Sequence, residues 1–499
     1  MLQHPNKTQS AGRIQLFLFL FLSLFMWQSS IQSAKAATWT VCLSALDCDF
    51  TSIQTAVNNA TNGDILEFTV NKEVFLETVT LNKSLTFMGQ TTTINAQDSG
   101  TAVTITGSPT VIMQDIIIQN GNVSGNGGGN GGGIQLNGGN LTLTNVTLNS
   151  NDATGSGLGG ALYIGNGSST VTLTNVTMQS NTAVSGGGIY NNGIINADNL
   201  TIAANYAVNG GGFYNNGIAT LDNQSDIRQN GTTATQTTQS GGGIFNAAGA
   251  TLTILDSDVS NNDADDGAGV FNEGTLQVTD SNLGSSNVAI NAGGGLYNSG
   301  QATLTNSAVV QNDGATGAGI YNEGTLIANN STLSRNEGAN GAGLYNMSGS
   351  TTFNNVTIHL TIGTSIFVNG GTVTVGNTII SSVSGNSTCD GSNLNSAVSN
   401  GYNLANDQSC TFLSEISGGI QGVDPDLEGI VSPTTSAAYH APKLTSPTVD
   451  AGNPATPGSG STACFASDLR GLARPQSRGC DIGAVEIVIF RLYLPTLIK

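Results

Sequence analysis

The sequence is short of charge: only 9% of its 499 residues are Asp, Glu, Lys or Arg. Basic residues are the scarcest, 13 against 32 acidic, and only Arg228 and Arg335 fall between residues 131 and 376. Nucleic acid is excluded as a partner, because holding phosphates requires a basic face. Polysaccharide lyase chemistry on that stretch is disfavoured too. Neutralising a uronate and abstracting its proton calls for converging Lys or Arg, often with Ca2+, and these two arginines lie four repeats apart, roughly 19 Å at strand spacing. Histidine is rarer still, and His359 stands alone in mid-chain, which reads as a structural or surface residue.

Cysteine is missing from residues 49 to 388, and the six that exist fall into local pairs: Cys42/Cys48, Cys389/Cys410 and Cys464/Cys480. With no histidine near the first or last pair, zinc fits poorly; three local disulfides, placed outside the repeats where a stacked fold would fray, fit an exported chain. Long apolar runs are also scarce. Ile14 to Trp27 is about 14 residues, too short to span a bilayer comfortably. Preceded by Lys7 and Arg13 and followed by Ala34-Lys35-Ala36, it reads as a secretory signal covering residues 1–36. Loss of Lys7, Arg13 and Lys35 takes the net charge from −19 to −22. No transmembrane span is expected in the mature chain, and no set of alternating, aromatic-girdled strands suggests a membrane barrel.

Gly, Thr, Asn and Ser fill the place of charge, a balance that suits strands and tight turns. A motif G-[GA]-[GA]-apolar begins at Gly131, Gly159, Gly186, Gly210, Gly241, Gly267, Gly293, Gly317 and Gly341, at intervals of 24 to 31 residues. A period in this range signals a solenoid. Two polar columns keep register with it. One holds Asn145, Asn175, Asn199, Asn223, Asp256, Asp280, Asn306, Asn330 and Asn355; the other ends an apolar-x-x-Asn unit at Asn151, Asn181, Asn205, Asn230, Asn262, Asn312 and Asn336, broken in one repeat by Ser286 then Asn287.

Between the columns apolar residues alternate. Leu141 and Leu143 share a face, and the phase slips by one residue at Asn145 before Val146 and Leu148. Alternation marks half-buried strands, and a slip without a flip of faces requires a corner, which Asn tolerates in left-handed conformation. Three short strands and three corners in about 25 residues make one turn of a parallel β-helix, with no room for helical crossovers. Equivalent residues then stack at about 4.8 Å, and asparagine amides at Asn145, Asn175, Asn199, Asn306, Asn330 and Asn355 are expected to bond rung to rung. Ile53, Ala56, Val57 and Ala60 have helical spacing and predict a short cap over the first coil.

The opening "FTSIQTAVNNATNGDILEF…LNKSLTFMGQ" resembles that of pectin-lyase-like right-handed β-helix proteins. The paired glycine and apolar-x-x-Asn motifs resemble the repeats of polymorphic outer membrane proteins, although those carry Phe where this chain has Leu, Met, Ile or Val. Ser446 to Glu486, "SPTVDAGNP…DLRGLARPQSRGCDIGAVE", resembles the choice-of-anchor Q domain of secreted bacterial β-helix proteins. The resemblance implies an all-β, single-stranded right-handed parallel β-helix with an N-terminal helical cap and a disulfide-stapled C-terminal cap. It also implies a bacterial protein retained at the cell surface or outer membrane. The fold alone does not choose between enzymes and adhesins. The expected parts are a signal (1–36), cap and first coils (37–130), regular coils (131–376), irregular coils (377–445), a capping region (446–486) and an apolar tail (487–499). The tail is too short to span a membrane alone; a sorting tail, a docking strand and a last strand against the cap all remain open.

Several constellations invite chemistry. Asp256/Asp280 on adjacent rungs and Glu273/Glu323 two rungs apart are the candidate carboxylate pairs for a polysaccharide hydrolase; the plainer alternative is acidic substitution at exposed corners. The "NTD", "DD", "GHG" and "RIK" elements of polygalacturonase-like helices are absent as a set. Asp263, Asp265 and Asp266 crowd one acidic turn, a Ca2+ candidate without the spacing of known Ca2+ loops. Tyr163, Tyr190, Tyr214, Phe245, Phe271, Tyr297, Tyr321 and Tyr345 form an aromatic column about 34 Å long. It either faces outward as a platform for sugars or a partner, or stacks upon itself as a stabilising ladder. Asp468, Arg470, Arg474, Arg478, Asp481 and Glu486 suggest an ion-pair clasp closing the last coils, or a ligand site. No cofactor is called for beyond the Ca2+ possibility. The expectation is a non-catalytic adhesin-like or structural protein contacting extracellular glycans or surface proteins, with a carbohydrate-active hydrolase as the alternative.

Overall fold

Gly186 opens a representative turn. Its φ of +66° is a left-handed conformation in which an added Cβ would meet the Ile189 carbonyl at 2.1 Å, so the motif begins with glycine. Ile189–Asn191 follows as a three-residue strand, Ile189 and Asn191 inward and fully buried, Tyr190 outward. Asn192 and Gly193 turn the chain into Ile194–Ala203, which bends at Asn199 (φ +54°) without leaving the sheet. A second bend at Ala204 leads past the buried Asn205 to a short third side and on to Gly210. Each strand pairs in parallel with its equivalent one turn away, as Ile189–Asn191 does with Phe213–Asn215.

The computed structural model describes residues 36–44, 46–125, 129–232, 238–413, 418–433, 437–460 and 462–488. Residues 1–35, nearly all of the segment expected to be a signal, and 489–499, most of the expected apolar tail, lie outside the described residues. One compact unit starts at Thr38. It is a parallel β-solenoid of about 25 residues per turn, with thirteen strands in its second sheet, from Val79–Leu81 to Cys389–Asp390. The main apolar core runs from Val41 to Leu413.

The corner residues from Asn145 to Asn355, Asp256 and Asp280 included, all have φ between +44° and +54°. What the column shares is this backbone conformation, to which Asn and Asp are suited. The expected side-chain ladder there is only partial. Asn175 donates to Asn145 Oδ1 (3.1 Å) and Asn199 to Asn175 Oδ1 (2.9 Å), but Asn330 and Asn355 donate to the carbonyls of Ser467 and Gly483 instead. Amides at an exposed corner have water and other chain segments as rival partners, so nothing forces them onto each other.

Continuous ladders run inside. From Asn151 through Asn181, Asn205, Asn230, Asn262, Asn287 and Asn312 to Asn336, each Nδ2 donates to the next Oδ1 at 2.9–3.1 Å. Asn287 keeps its place because Ser285 and Ser286 are both left-handed (φ +61° and +70°) and absorb the extra residue. A second buried ladder, unforeseen in the sequence, runs from Asn191 through Asn215, Asn246, Asn272, Asn298 and Asn322 to Asn346 at 2.7–2.9 Å. The remaining amide protons reach backbone carbonyls, as from Asn181 to Leu148 (3.1 Å), so the buried amides are paired.

The N-terminal helix, Ile53–Asn59, buries Ile53, Ala56 and Val57 as expected. Glu77 accepts from the Ile53 and Gln54 amides (2.7 and 3.1 Å) at its start, and Lys83 Nζ donates to the Val57, Asn58 and Ala60 carbonyls at its end. Opposite charges thus meet the two ends of the helix dipole. At the far end, the short 3-10 turns Leu394–Ser396 and Thr411–Leu413 close the core, joined by Cys389–Cys410.

All three expected disulfides form, Cys42–Cys48, Cys389–Cys410 and Cys464–Cys480. Cys42–Cys48 and Cys464–Cys480 lie near the two ends of the chain, outside the repeats, as expected. Cys48 is only half-buried, whereas the other five cysteines are buried. Its sulfur lies 3.2 Å from Thr69 Oγ1, and the bridge to Cys42 spans six residues. So short a link closes a surface loop after the first strand, Thr38–Val41, where Leu43, Ser44, Leu46 and Asp47 are exposed. Cys42 joins the covered interior and Cys48 stays at the rim, so the bridge pins a loop rather than covering the first coil; the helix does that. Cys464–Cys480 lies on the C-terminal arm described next, with Cys464 Sγ 3.6 Å from Asn377 Oδ1 of the last coils.

The C-terminal region departs in part from expectation. The expected closure of the last coils is met by contacts at Asn377 and Ile379. The main course of the region, however, is back along the flank of the rod. The Ala438 amide reaches Asn282 Oδ1 (3.0 Å), His440 Nε2 meets Ser334 Oγ (2.8 Å), and Ala463 O and Phe465 N bond Asn354 and Asn355. Ala437, Ala438, Leu469, Ala484 and Val485 pack on Ala308 and Val310. This arm is held by Cys464–Cys480 and by Arg474 Nη1 on Glu486 Oε1 (2.6 Å), both side chains buried. Arg470 pairs with Asp468 at 2.7 Å. The ion-pair clasp read from the sequence is therefore present, on a lateral arm.

Candidate functional site

The aromatic column is the most regular outward feature. The eight rings, with Phe367 as an unforeseen ninth, stack in succession with centroids 4.5–5.8 Å apart and planes 4–26° from parallel. They face outward but are at most half-exposed, and Phe245 is buried at 8% exposure. Strand stacking sets the rung at about 4.8 Å, so each ring's faces lie against its neighbours. A sugar stacks on a ring face through its C–H groups; here only edges and hydroxyls meet solvent. Of the two readings, platform for sugars and self-stacked ladder, the ring geometry fits the ladder. The adjoining rungs carry Gln135 and Asp390.

Acidic residues line this ladder and are tied to it. Glu323 accepts from Tyr297 Oη (2.9 Å) and lies 3.5 Å from Tyr321 Oη. Burial first, and this carboxylate second, hold the Tyr297 phenol well above its ordinary value and push Tyr321 up to about 12. Glu273, two rungs away, is exposed and raises Tyr214 after burial does. The two glutamates attend the ladder and are separated by the rung of Ser299.

Asp256 and Asp280 occupy consecutive left-handed corners. Burial, then Asp222, Asp280 and Asp258, raises the Asp256 carboxyl. Three cavities lie elsewhere, one of about 400 Å3 beside Leu413, one of about 490 Å3 beside His359 and one of about 440 Å3 beside Arg478. Asp263, Asp265 and Asp266 are on a strand, Asp263–Asp266, rather than a turn. Asp263 accepts from Thr232 Oγ1, and Asp266 faces Asn291 at 3.5 Å, so these two carboxylates have different partners. Among the described residues no three His, Cys, Asp or Glu side chains are grouped to hold a metal ion. Arg228 pairs with Asp226 in its own strand, and the register places Arg335 four rungs on.

His359 is not alone. The arm brings His440 against it edge-on, centroids 4.7 Å apart at 84°. His359 Nδ1 lies 2.6 Å from Ser381 Oγ, and His440 Nδ1 lies 2.8 Å from the Glu428 carbonyl. Burial, then His440, pushes His359 down to about 3; burial also lowers His440, so both imidazoles are neutral. His359 stands at the edge of the cavity of about 490 Å3, where the last coils meet Asp424 and Pro425 of the arm. No local sequence signal points here, because the pair is 81 residues apart in the chain.

No protein-family model matches the chain, and no curated protein matches it. No helix among the described residues is long and apolar enough to cross a membrane.

Proposed function

We propose that this protein is a secreted, non-catalytic rod, adhesin-like or structural, retained at the surface of a bacterial cell. The supporting observation is repetition. Outward positions recur at a fixed spacing over many rungs, and both ends of the core are covered by chain. Such a form presents a long surface at fixed pitch rather than one reaction centre. In this reading the helix is right-handed and pectin-lyase-like, its repeats are of the polymorphic outer membrane protein type, and the arm is a choice-of-anchor Q region. Residues 1–36 are its export signal, and extracellular glycans or surface proteins are its partners.

The second reading, a polysaccharide hydrolase using Asp256 and Asp280, draws on the raised Asp256 carboxyl. One experiment separates the two. The mature protein is incubated with a panel of polysaccharides and, in parallel, applied to a glycan array and to intact cells. The rod reading expects binding without release of reducing ends. Release of reducing ends that disappears in Asp256→Asn/Asp280→Asn overturns it in favour of the hydrolase.

A further inference from the structure

From the cavity between the last coils and the arm we infer a binding site for a single neutral sugar residue, free or terminal on a glycan. The inference rests on the proposed extracellular, non-catalytic role and gives it a ligand class. The cavity, of about 490 Å3, falls within the 300–1,000 Å3 range of small-molecule sites and lies at a junction between two packed parts of the chain, where such sites concentrate.

Its lining is divided in a way that suits a hexose. One side is rigid. Asp407 accepts from the Thr388 and Ser409 amides and Ser409 Oγ (2.6–3.0 Å), and Asn406 bonds Ser382 and Thr388. The other side has hydrogen bonds to give. The side chains of Ser384 and Asn386 have no partner among the described residues, and Asp424 commits one oxygen to the Asp426 amide (2.8 Å). A hydroxyl, an amide and a carboxylate oxygen offer both donors and acceptors to vicinal sugar hydroxyls. Leu360, Val383 and Pro425 line the same space and match the C–H surface of a pyranose.

Charge selects against acidic sugars. Two carboxylates, Asp407 and Asp424, line the cavity and no Lys or Arg does. The neighbouring imidazole adds no positive charge, since His359 is held neutral. Carboxylates serve here as strong acceptors for hydroxyl donors. The site is separate from the aromatic ladder, whose ring faces are already covered.

The test is saturation-transfer NMR and calorimetry on the mature protein with D-galactose, D-glucose, D-mannose and D-galacturonate. A glycan array ending in the same residues is read alongside. At least one neutral hexose is expected to bind and galacturonate is not. Asp424→Asn and Asn386→Ala are each expected to weaken binding about tenfold or more, with an unchanged melting temperature as the folding control. Binding to free hexose identifies a monosaccharide site; binding only on the array identifies a glycan-terminal site, and both support the inference. No binding in either format, equal binding by the variants, or preference for galacturonate overturns it. Adhesion to intact cells separates the two levels. If the pocket fails but the rod reading holds, cells are bound equally by Asp424→Asn and the parent; if the rod reading fails, neither binds.

Discussion

The same flank of the rod exists in two states. In the first half its outward residues, among them Thr147, Asn149, Thr177, Gln179, Asp226, Arg228, Asp258 and Ser260, are partly or fully exposed. From Ala308 onward Ala308, Val310, Thr332, Ser334, Thr357 and Ser381 in the equivalent positions are at most 3% exposed where the arm lies, and His359 between Ser334 and Ser381 is half-buried. Backbone, corner conformation and inward residues are alike in both halves. The difference lives in the outward column, which becomes small and apolar or hydroxylic where the arm docks. A solenoid backbone thus leaves its surface free to specialise, since the stacking hydrogen bonds do not depend on what points outward.

The comparison can be broken most severely at the clasp. Arg474→Ala leaves the Glu486 carboxylate buried without its partner, which costs about 3–5 kcal/mol. The expected result is release of the arm without collapse of the rod. Hydrogen exchange should rise at Ala308–Val310 and Thr332–Ser334 and stay unchanged at Thr147–Asn149. Loss of protection in both halves would mean that the arm holds the whole solenoid together.

Paired substitutions sharpen the comparison at the next level. Val310→Asp places a charge under Ala437 and Leu469 and is expected to cost about 2–4 kcal/mol. Ser260→Asp, in the same column on the open half, should change the melting free energy by less than about 0.5 kcal/mol. This contrast was half legible in the sequence. Ala308-Val309-Val310 and Ile379-Ile380 abandon the alternation kept by Thr147-Leu148-Asn149, a sign that both faces are buried there. The covering partner was not legible, because it returns from more than 100 residues away and has no period of its own.

Two opposed titrations act only on the covered half. The His359 imidazole is pushed down to about 3, so its contribution is complete above about pH 6.5, the unfolded value, and fades as pH falls toward 3. Asp481 is pushed up to about 7 by burial and then by Glu486; its contribution is complete below about 3.8 and fades as pH rises through 7. Between these limits the slopes offset, and the arm of the parent protein should show a shallow profile. Asp481→Asn should expose the imidazole slope. Arg335 also disfavours the charged His359 while Asp424 favours it, and a loss of up to about 1.4 kcal/mol per pH unit is expected below 6.5. Exchange at Ser334 and Ser381, followed from pH 7 to 4, reads this directly; a flat profile in Asp481→Asn would remove the histidines from the account.

A modest effect is expected in the aromatic ladder, which crosses both halves. Tyr214→Leu removes one ring from between two others and should cost about 0.5–1.5 kcal/mol. Glycan-array binding should be unchanged, because the ring faces were not available. The column was visible in the sequence and so was its outward facing. Its function as platform or ladder was not, since that depends on ring angles and alternation sets only the side of the sheet.

The sequence by itself determined the rung. The 24- to 31-residue period, the inward Leu, Ile and Val, the left-handed corners and the helical cap at Ile53 all follow from local spacing, and each recurs or caps a recurrence. It named one inner asparagine column as well, and overlooked the Asn191–Asn346 ladder although that too was periodic. Proximity in the chain also paired the cysteines, but it did not say that Cys48 would sit at the rim of a surface loop while Cys42 went inside. Tertiary structure alone decided where the arm lies, that His359 meets His440, that Asn330 and Asn355 serve the arm instead of each other, and that a cavity opens beside Asp424. The histidine contact and the arm's reach to Asn282 join segments 81 and 156 residues apart. Such contacts occur once rather than every turn, so no periodicity in the chain records them.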